Sequence, residues 1–231
     1  MKNYYINRKK KIIKRLHKIL KLAKPSILKN YNIEYYQKLL QESNQELKNI
    51  IPAIPYVGGK DNMFSIILEV NACIIAVYKT MKENGKELDT IIQILCDATE
   101  SFFHRFPKFI RKIIGKYILS KVFVRKLTNL SNQTQKRQYS DNWIFTVEKG
   151  DDKDYRWKSN YTQCAVVEFW SAQQLSEFLP YCCFFDVINS KNCYGGMVFE
   201  STIGQGSPHC IASVKKGRKT EIPEILKKYI K

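Results

Sequence analysis

Trp143-Ile144-Phe145-Thr146-Val147-Glu148-Lys149-Gly150-Asp151-Asp152 is the stretch at which the hydrophobic period of this chain changes. Trp143, Phe145 and Val147 recur at every second position, which is the period of a half-buried strand. Gly150-Asp151-Asp152 supplies a turn, and Tyr155 and Trp157 resume the alternation on a return strand. Everything upstream repeats at helical spacing, and short segments of both kinds follow. The change of period predicts an α+β protein: a helical N-terminal half packed with a C-terminal antiparallel sheet plus helices.

Working upstream, residues 109–127 read as a helix with Lys and Arg on its exposed side, and the polar stretch 128–140 reads as a connector. Helices are expected over 88–103, 63–84 and 33–50. Asp61 or Asn62 can cap the second of these and Gly85 can end it. Between them Ile54-Pro55-Tyr56-Val57-Gly58-Gly59-Lys60 is a loop. At the start, residues 8–23 form a basic amphipathic helix whose apolar positions are Ile12, Ile13, Leu16, Ile19, Leu20 and Leu22, and Pro25 is expected to stop it. Such a helix can dock on an anionic membrane surface, contact a polyanion, or lie on the domain with its basic face in water. Read as an appendage, residues 1–24 would be removable without loss of the fold.

Working downstream, residues 162–170 are expected to be helical, with Ser171 capping a second helix that ends at Pro180. Strands over 197–201 and 211–214 flank Gly204, Gly206 and Pro208, so they form a hairpin. The expected organisation is a basic helix at 1–24, a helical region at 25–130, a cysteine-rich catalytic or binding region at 140–215, and a basic tail at 216–231.

With 231 residues, of which 44% are hydrophobic, the chain can bury a sizeable core. The net charge of +18 points to an anionic partner, but residues 1–29 hold eleven Lys or Arg and no carboxylate, so part of it is a property of one end. A nucleic-acid partner is not expected, because no recognition motif or exposed aromatic run accompanies the charge. The nearest apolar run, residues 66–77, contains Glu69 and Asn71 and falls short of the roughly 20 residues that span a bilayer. Seven cysteines, an odd number, follow a lysine-interrupted start that is no secretory signal. Free thiols and cytoplasmic residence are therefore expected, with peripheral membrane contact through residues 8–23 as the alternative.

The C-terminal third concentrates reactive residue types. Cys182-Cys183-Phe184-Phe185-Asp186 pairs thiols with a carboxylate, His209-Cys210 follows, and Cys164 precedes. A cysteine acts as a nucleophile when a base or positive charge favours its thiolate, and His209 is the histidine of this region. A free cysteine is also a common small core residue. The spacings match no common zinc pattern, and neither Gly204-x-Gly206 nor Gly58-Gly59-Lys60 makes a phosphate loop, so neither metal nor cofactor is expected.

The strings Tyr161-Thr162-Gln163-Cys164-Ala165, Leu179-Pro180-Tyr181-Cys182-Cys183-Phe184-Phe185-Asp186 and Ser201-Thr202-Ile203-Gly204-Gln205-Gly206-Ser207-Pro208-His209-Cys210 resemble the L-2-amino-thiazoline-4-carboxylic acid hydrolase family. Ile54-Pro55-Tyr56-Val57-Gly58-Gly59 and Ala76-Val77-Tyr78-Lys79 extend the resemblance, which covers residues 33–214. After the last cysteine the chain departs from the family: Ile211, Ala212 and Ser213 stand where an acidic residue, an aromatic and an arginine are expected. A weaker similarity links the hairpin to vinyl-reductase-like (4VR) small-molecule-binding domains, in which cysteines hold zinc. Thr202 stands at one of those positions, so a complete zinc set is not expected.

The resemblance implies hydrolysis of a small cyclic amidine, whose carbon between sulfur and nitrogen is electrophilic. Residue chemistry then suggests Cys183 as nucleophile, Asp186 as general acid/base or amidinium partner, and Cys210 or His209 in support. Cys164, Thr202 and Tyr56 are expected to line the substrate site. The alternative is a non-catalytic 4VR-like binding module with a docking helix.

Overall fold

A computed structural model describes residues 3–230, so the first two residues of the expected 1–24 helix and the last of the 216–231 tail lie outside the described residues. The chain divides into two compact units between Ser101 and Phe102.

The first unit holds helices α1 (Tyr4–Asn7), α2 (Lys9–Asn30), α3 (Ile33–Ile50), α4 (Ser65–Glu83) and most of α5 (Leu88–His104). Asn32 caps α3 by accepting from the Tyr35 N–H, and Gly85, at φ +69°, ends α4 in the left-handed conformation that glycine tolerates. Helix α2 packs against α3 and α4 and buries Ile12, Leu16, Leu20 and Ile27 completely.

Two expectations for α2 are corrected here. Pro25 does not end it; the helix continues to Asn30. An internal proline costs roughly 3 kcal/mol. Burial of Ile27 and the bond from Ser26 Oγ to Asp97 Oδ2 (2.6 Å) offset this loss. Nor is the segment an appendage. Of its apolar positions Ile12, Leu16 and Leu20 are buried against protein, while Ile13, Ile19 and Leu22 are half-buried. Two of its surrounding cations also face inward: Arg8 and Arg15 both bond the carboxylate of Glu69, which is fully buried on α4. A buried carboxylate needs such compensation.

The second unit holds α6 (Lys108–Ile118), α7 (Lys121–Thr134), β1 (Ile144–Lys149), β2 (Trp157–Gln163), α8 (Ala165–Ala172), α9 (Phe184–Cys193), β3 (Met197–Ser201) and β4 (Cys210–Val214). The strands form one antiparallel sheet in the order β1-β2-β4-β3, so the α+β reading holds. β1–β2 and β3–β4 are hairpins, and β4 returns to pair with β2. Helix α7 covers β1, and α6 packs on α9 through Gly115, where a Cβ would lie 1.8 Å from the Cys193 carbonyl oxygen.

The expected single helix over 109–127 is two, because Ser120 leaves helical geometry and caps α7 by accepting from the Phe123 N–H. Residues 128–134 of the expected connector are the end of α7. Ser171 lies inside α8 and caps nothing; the following segment is only the short 3-10 helix Ser176–Tyr181. Phe178 of that turn stacks on Trp170 (ring centroids 4.0 Å apart), which fixes the turn against α8 and leads the chain into α9.

Candidate active site

Two helix starts and one strand start bring the site residues together within the second unit. Cys183 occupies the N-cap of α9 and Asp186 the third helical position, where its N–H bonds the Cys183 carbonyl oxygen (3.1 Å). The side chains of Cys183 and Asp186, three residues apart at the start of α9, lie at the same helix end. The Cys-x-x-Asp spacing therefore sets a thiol beside a carboxyl by local structure alone.

Cys210 arrives from the sheet. It opens β4 and sits opposite Tyr161 of β2, and its thiol bonds that of Cys183. The turn before it carries the 3-10 helix Ile203–Gln205, whose Ile203 N–H also points at the Cys210 sulfur. Gly204 is required there: a Cβ would stand 2.3 Å from the Leu179 carbonyl oxygen and 3.0 Å from Cys182 Sγ. The glycine lets the hairpin close onto the segment that carries Cys182 and Cys183. Gly206, at φ +88°, completes the turn.

Cys164 is the N-cap of α8, and the nearby Val167 and Val166 N–H groups act to lower its thiol pKa against burial. It lies close enough to Cys210 and Asp186 to feel both charges, as does the phenol of Tyr161. Tyr161 stacks on Phe145 (ring centroids 4.7 Å apart) and bonds Ser159. This tyrosine is a member of the cluster that the sequence reading did not single out. Its visible signal was its place in the Tyr161-Thr162-Gln163-Cys164 string.

The electrostatics follow from this packing. Cys183 is held protonated, first by its contact with Cys182 (sulfurs 3.9 Å apart); the bond from Cys210 acts in the opposite direction, and burial adds to the rise. Cys210 is pushed up by its bond to Cys183 and then by burial. Both of these thiols are therefore held protonated. Burial raises the Cys164 thiol to about 11. Desolvation raises the Asp186 carboxyl to about 6. Asp186 is nevertheless solvent-exposed, and Cys164, Cys183 and Cys210 are half-buried. Water thus reaches Asp186 and, in part, the three thiols.

The other expected site residues have partners of their own. His209 Nδ1 bonds Asn160 Oδ1 (3.1 Å). Asn160 and Tyr161 are neighbours on β2 and so face opposite sides of the sheet. The imidazole is thus on the face away from the thiols and is not positioned as their base. Thr202 is buried at the start of the hairpin turn, where its carbonyl oxygen accepts from Gln205 and Ser207. Tyr56 belongs to the first unit and packs edge-on against Tyr4. Among the described residues, no group of three or more His, Cys, Asp or Glu side chains is arranged to hold a metal ion. Two surface recesses, of about 370 and 420 Å³, are lined by other residues; the second touches the site region only through Pro180, Gly204 and Gln205.

Residues 65–212, more than half of the chain, match the family L-2-amino-thiazoline-4-carboxylic acid hydrolase. The match contains every member of the cluster. No curated protein and no solved structure matches the chain.

Proposed function

The chain belongs to the L-2-amino-thiazoline-4-carboxylic acid hydrolase family, and from that membership we propose that it opens a small cyclic amidine by water, with Cys183 as nucleophile and Asp186 as its base. The observation that carries this reading is the convergence of Cys183, Asp186 and Cys210 on one half-open cluster.

The protonation states suit the order of events. Near neutral pH Asp186 is ionised, since its carboxyl titrates at about 6, while Cys183 carries its proton. A cationic amidine reaching the cluster pairs with the carboxylate. Asp186 then takes the Cys183 proton as the sulfur bonds the ring carbon that lies between sulfur and nitrogen. Ring sulfur, the better leaving group, departs and receives that proton from Asp186. Water adds to the same carbon, giving one proton to Asp186. The bond to Cys183 breaks and the proton returns to its sulfur. One water is consumed and the ring-opened product retains both nitrogens. Donation from the Cys210 thiol lowers the charge on Cys183 sulfur each time it is a thiolate. The positive end of the α9 dipole favours the same state.

Turnover of 2-aminothiazoline-4-carboxylate and related cyclic amidines tests the proposal. Wild type should act on at least one of them, with Cys183→Ser and Asp186→Asn each slowed by about 10²–10⁴-fold, while circular dichroism reports an unchanged fold. Binding of the amidine without turnover would instead support a small-molecule-binding module. All thiols of the cluster being held protonated is the one observation that favours that second reading.

A further inference from the structure

Residues 101–140 contain ten Lys or Arg and no Asp or Glu, and the structure gives that charge a shape. On α6, Lys108, Lys112 and Lys116 recur every four residues and are all exposed. A parallel row on the same solvent-facing arc is apolar: Phe109 is 62% exposed, Ile113 56% and Tyr117 44%. Val122, 47% exposed at the start of α7, extends the row. The opposite face of α6 is fully engaged. Gly115 meets the Cys193 carbonyl, and Arg111 bonds Asn192 Oδ1 (3.1 Å). The exposed arc is therefore not a packing surface that failed to bury. It is one row of large apolar side chains beside one row of lysines.

A second feature adjoins it. A recess of about 370 Å³ is lined by Lys121, Arg125, Lys149 and Arg156, together with Val122, Val124 and Gly150. Arg156 is held by the Leu119 carbonyl (2.9 Å) and by Asp152 (2.9 Å), a carboxylate at its side. Lys121, Arg125 and Lys149 bring cations to the same recess without an ion-pair partner among the described residues. The recess is large enough for a phosphate-bearing headgroup, and the apolar row beside it ends on Val122, which lines both.

We propose that the α6–α7 face docks this protein on an anionic phospholipid bilayer. Phe109, Ile113, Tyr117 and Val122 enter the acyl boundary, Lys108, Lys112 and Lys116 lie in the headgroup layer, and the Lys121–Arg125–Lys149 recess takes a lipid phosphate. Apolar insertion and electrostatic attraction add in such peripheral helices. A purely electrostatic partner would leave the large apolar row unexplained. The described residues hold no helix long and apolar enough to cross a membrane.

The test uses the full chain and sedimentation with two kinds of vesicle: equimolar phosphatidylglycerol and phosphatidylcholine, and phosphatidylcholine alone. Binding is expected to the anionic vesicles only, and to weaken in about 0.5 M salt as screening shortens to a few ångströms. Lys108→Gln, Lys112→Gln and Lys116→Gln combined should weaken it about a hundredfold, each lysine being worth a factor of about five near an anionic surface. Phe109→Ser with Ile113→Ser keeps the charge and should weaken it about tenfold or more. All these positions are exposed, and circular dichroism checks the fold. Three results would overturn the proposal: no binding to anionic vesicles, binding unaffected by the Phe109/Ile113 pair, or concentration-dependent self-association without lipid that the same pair abolishes. Tighter, Phe109-independent binding to single-stranded RNA would reassign the face to a polyanion.

Discussion

Cys73 and Cys183 are both protonated thiols, but their surroundings differ in kind. Cys73 lies fully buried on the apolar stripe of α4, and chiefly burial pushes it up to about 12, against the pull of Arg15. Its thiol donates to the Ile12 carbonyl (3.5 Å), a core filler's bond. Cys96 on α5 is likewise fully buried and raised by desolvation. Cys183 is half-buried at a helix start, held up first by another thiol, bonded by a third, and set one helical turn from a carboxyl. A raised pKa therefore says little about a cysteine until its cause is named. For Cys73 and Cys96 the leading cause is lack of solvent; for Cys183 and Cys210 it is contact with another thiol.

Substitution should separate the two regions. The largest effect is expected at the cluster, where Cys183→Ser or Asp186→Asn lowers turnover by about 10²–10⁴-fold with little change in melting temperature. In the first unit the pattern inverts. Cys96→Ser buries a hydroxyl and should cost about 1–3 kcal/mol of stability by chemical denaturation, with turnover per folded molecule unchanged. Cys73→Ser should cost less, because the serine hydroxyl can donate to the Ile12 carbonyl that the thiol uses now. Equal losses at the two positions would contradict that account.

Acidity gives a further contrast. If Asp186 acts as the ionised base, the rate should rise with pH and level off above about 6. The inflection should vanish in Asp186→Asn. The stability effect has the opposite sense. The folded protein holds this proton between the ordinary value of 3.8 and about 6, where the unfolded chain has released it. Stability from this group is therefore lost as pH rises through that window, and Asp186→Asn should flatten the slope in a pH series of thermal melts. The smallest effect is expected at His209→Ala. Its ring bonds Asn160 on the other face of the sheet, so the rate should fall by less than about tenfold, below the usual loss for a general base.

The sequence made some of this legible and concealed the rest for identifiable reasons. The 33–50 helix and the 197–201 strand match α3 and β3 residue for residue, because period and punctuation agree there. Cys183 and Asp186 were readable as a pair because their relation is local, one helical turn. Tyr161 was not singled out, because its place beside Cys210 depends on β2 pairing with β4 across some fifty residues of chain. His209 misled for the complementary reason: adjacency to Cys210 in sequence means opposite faces in a strand. Pro25 misled because a local rule was overridden by the burial of Ile27 beyond it. The helix that carries Asp186 was itself unread, since Phe184-Phe185-Asp186-Val187-Ile188-Asn189 shows no clean helical stripe until α6 and the sheet are packed around it.

The central claim is that substrate carbon becomes bonded to Cys183. Acid quench of wild-type protein during turnover of 2-aminothiazoline-4-carboxylate, followed by intact-mass and peptide mass spectrometry, tests this directly. The account predicts a gain equal to the whole substrate mass, since thiol addition with ring opening loses no atom, located on the peptide containing Cys183 and absent from Cys183→Ser. Full turnover by Cys183→Ser, or an adduct on Cys73 or Cys96 instead, would contradict it.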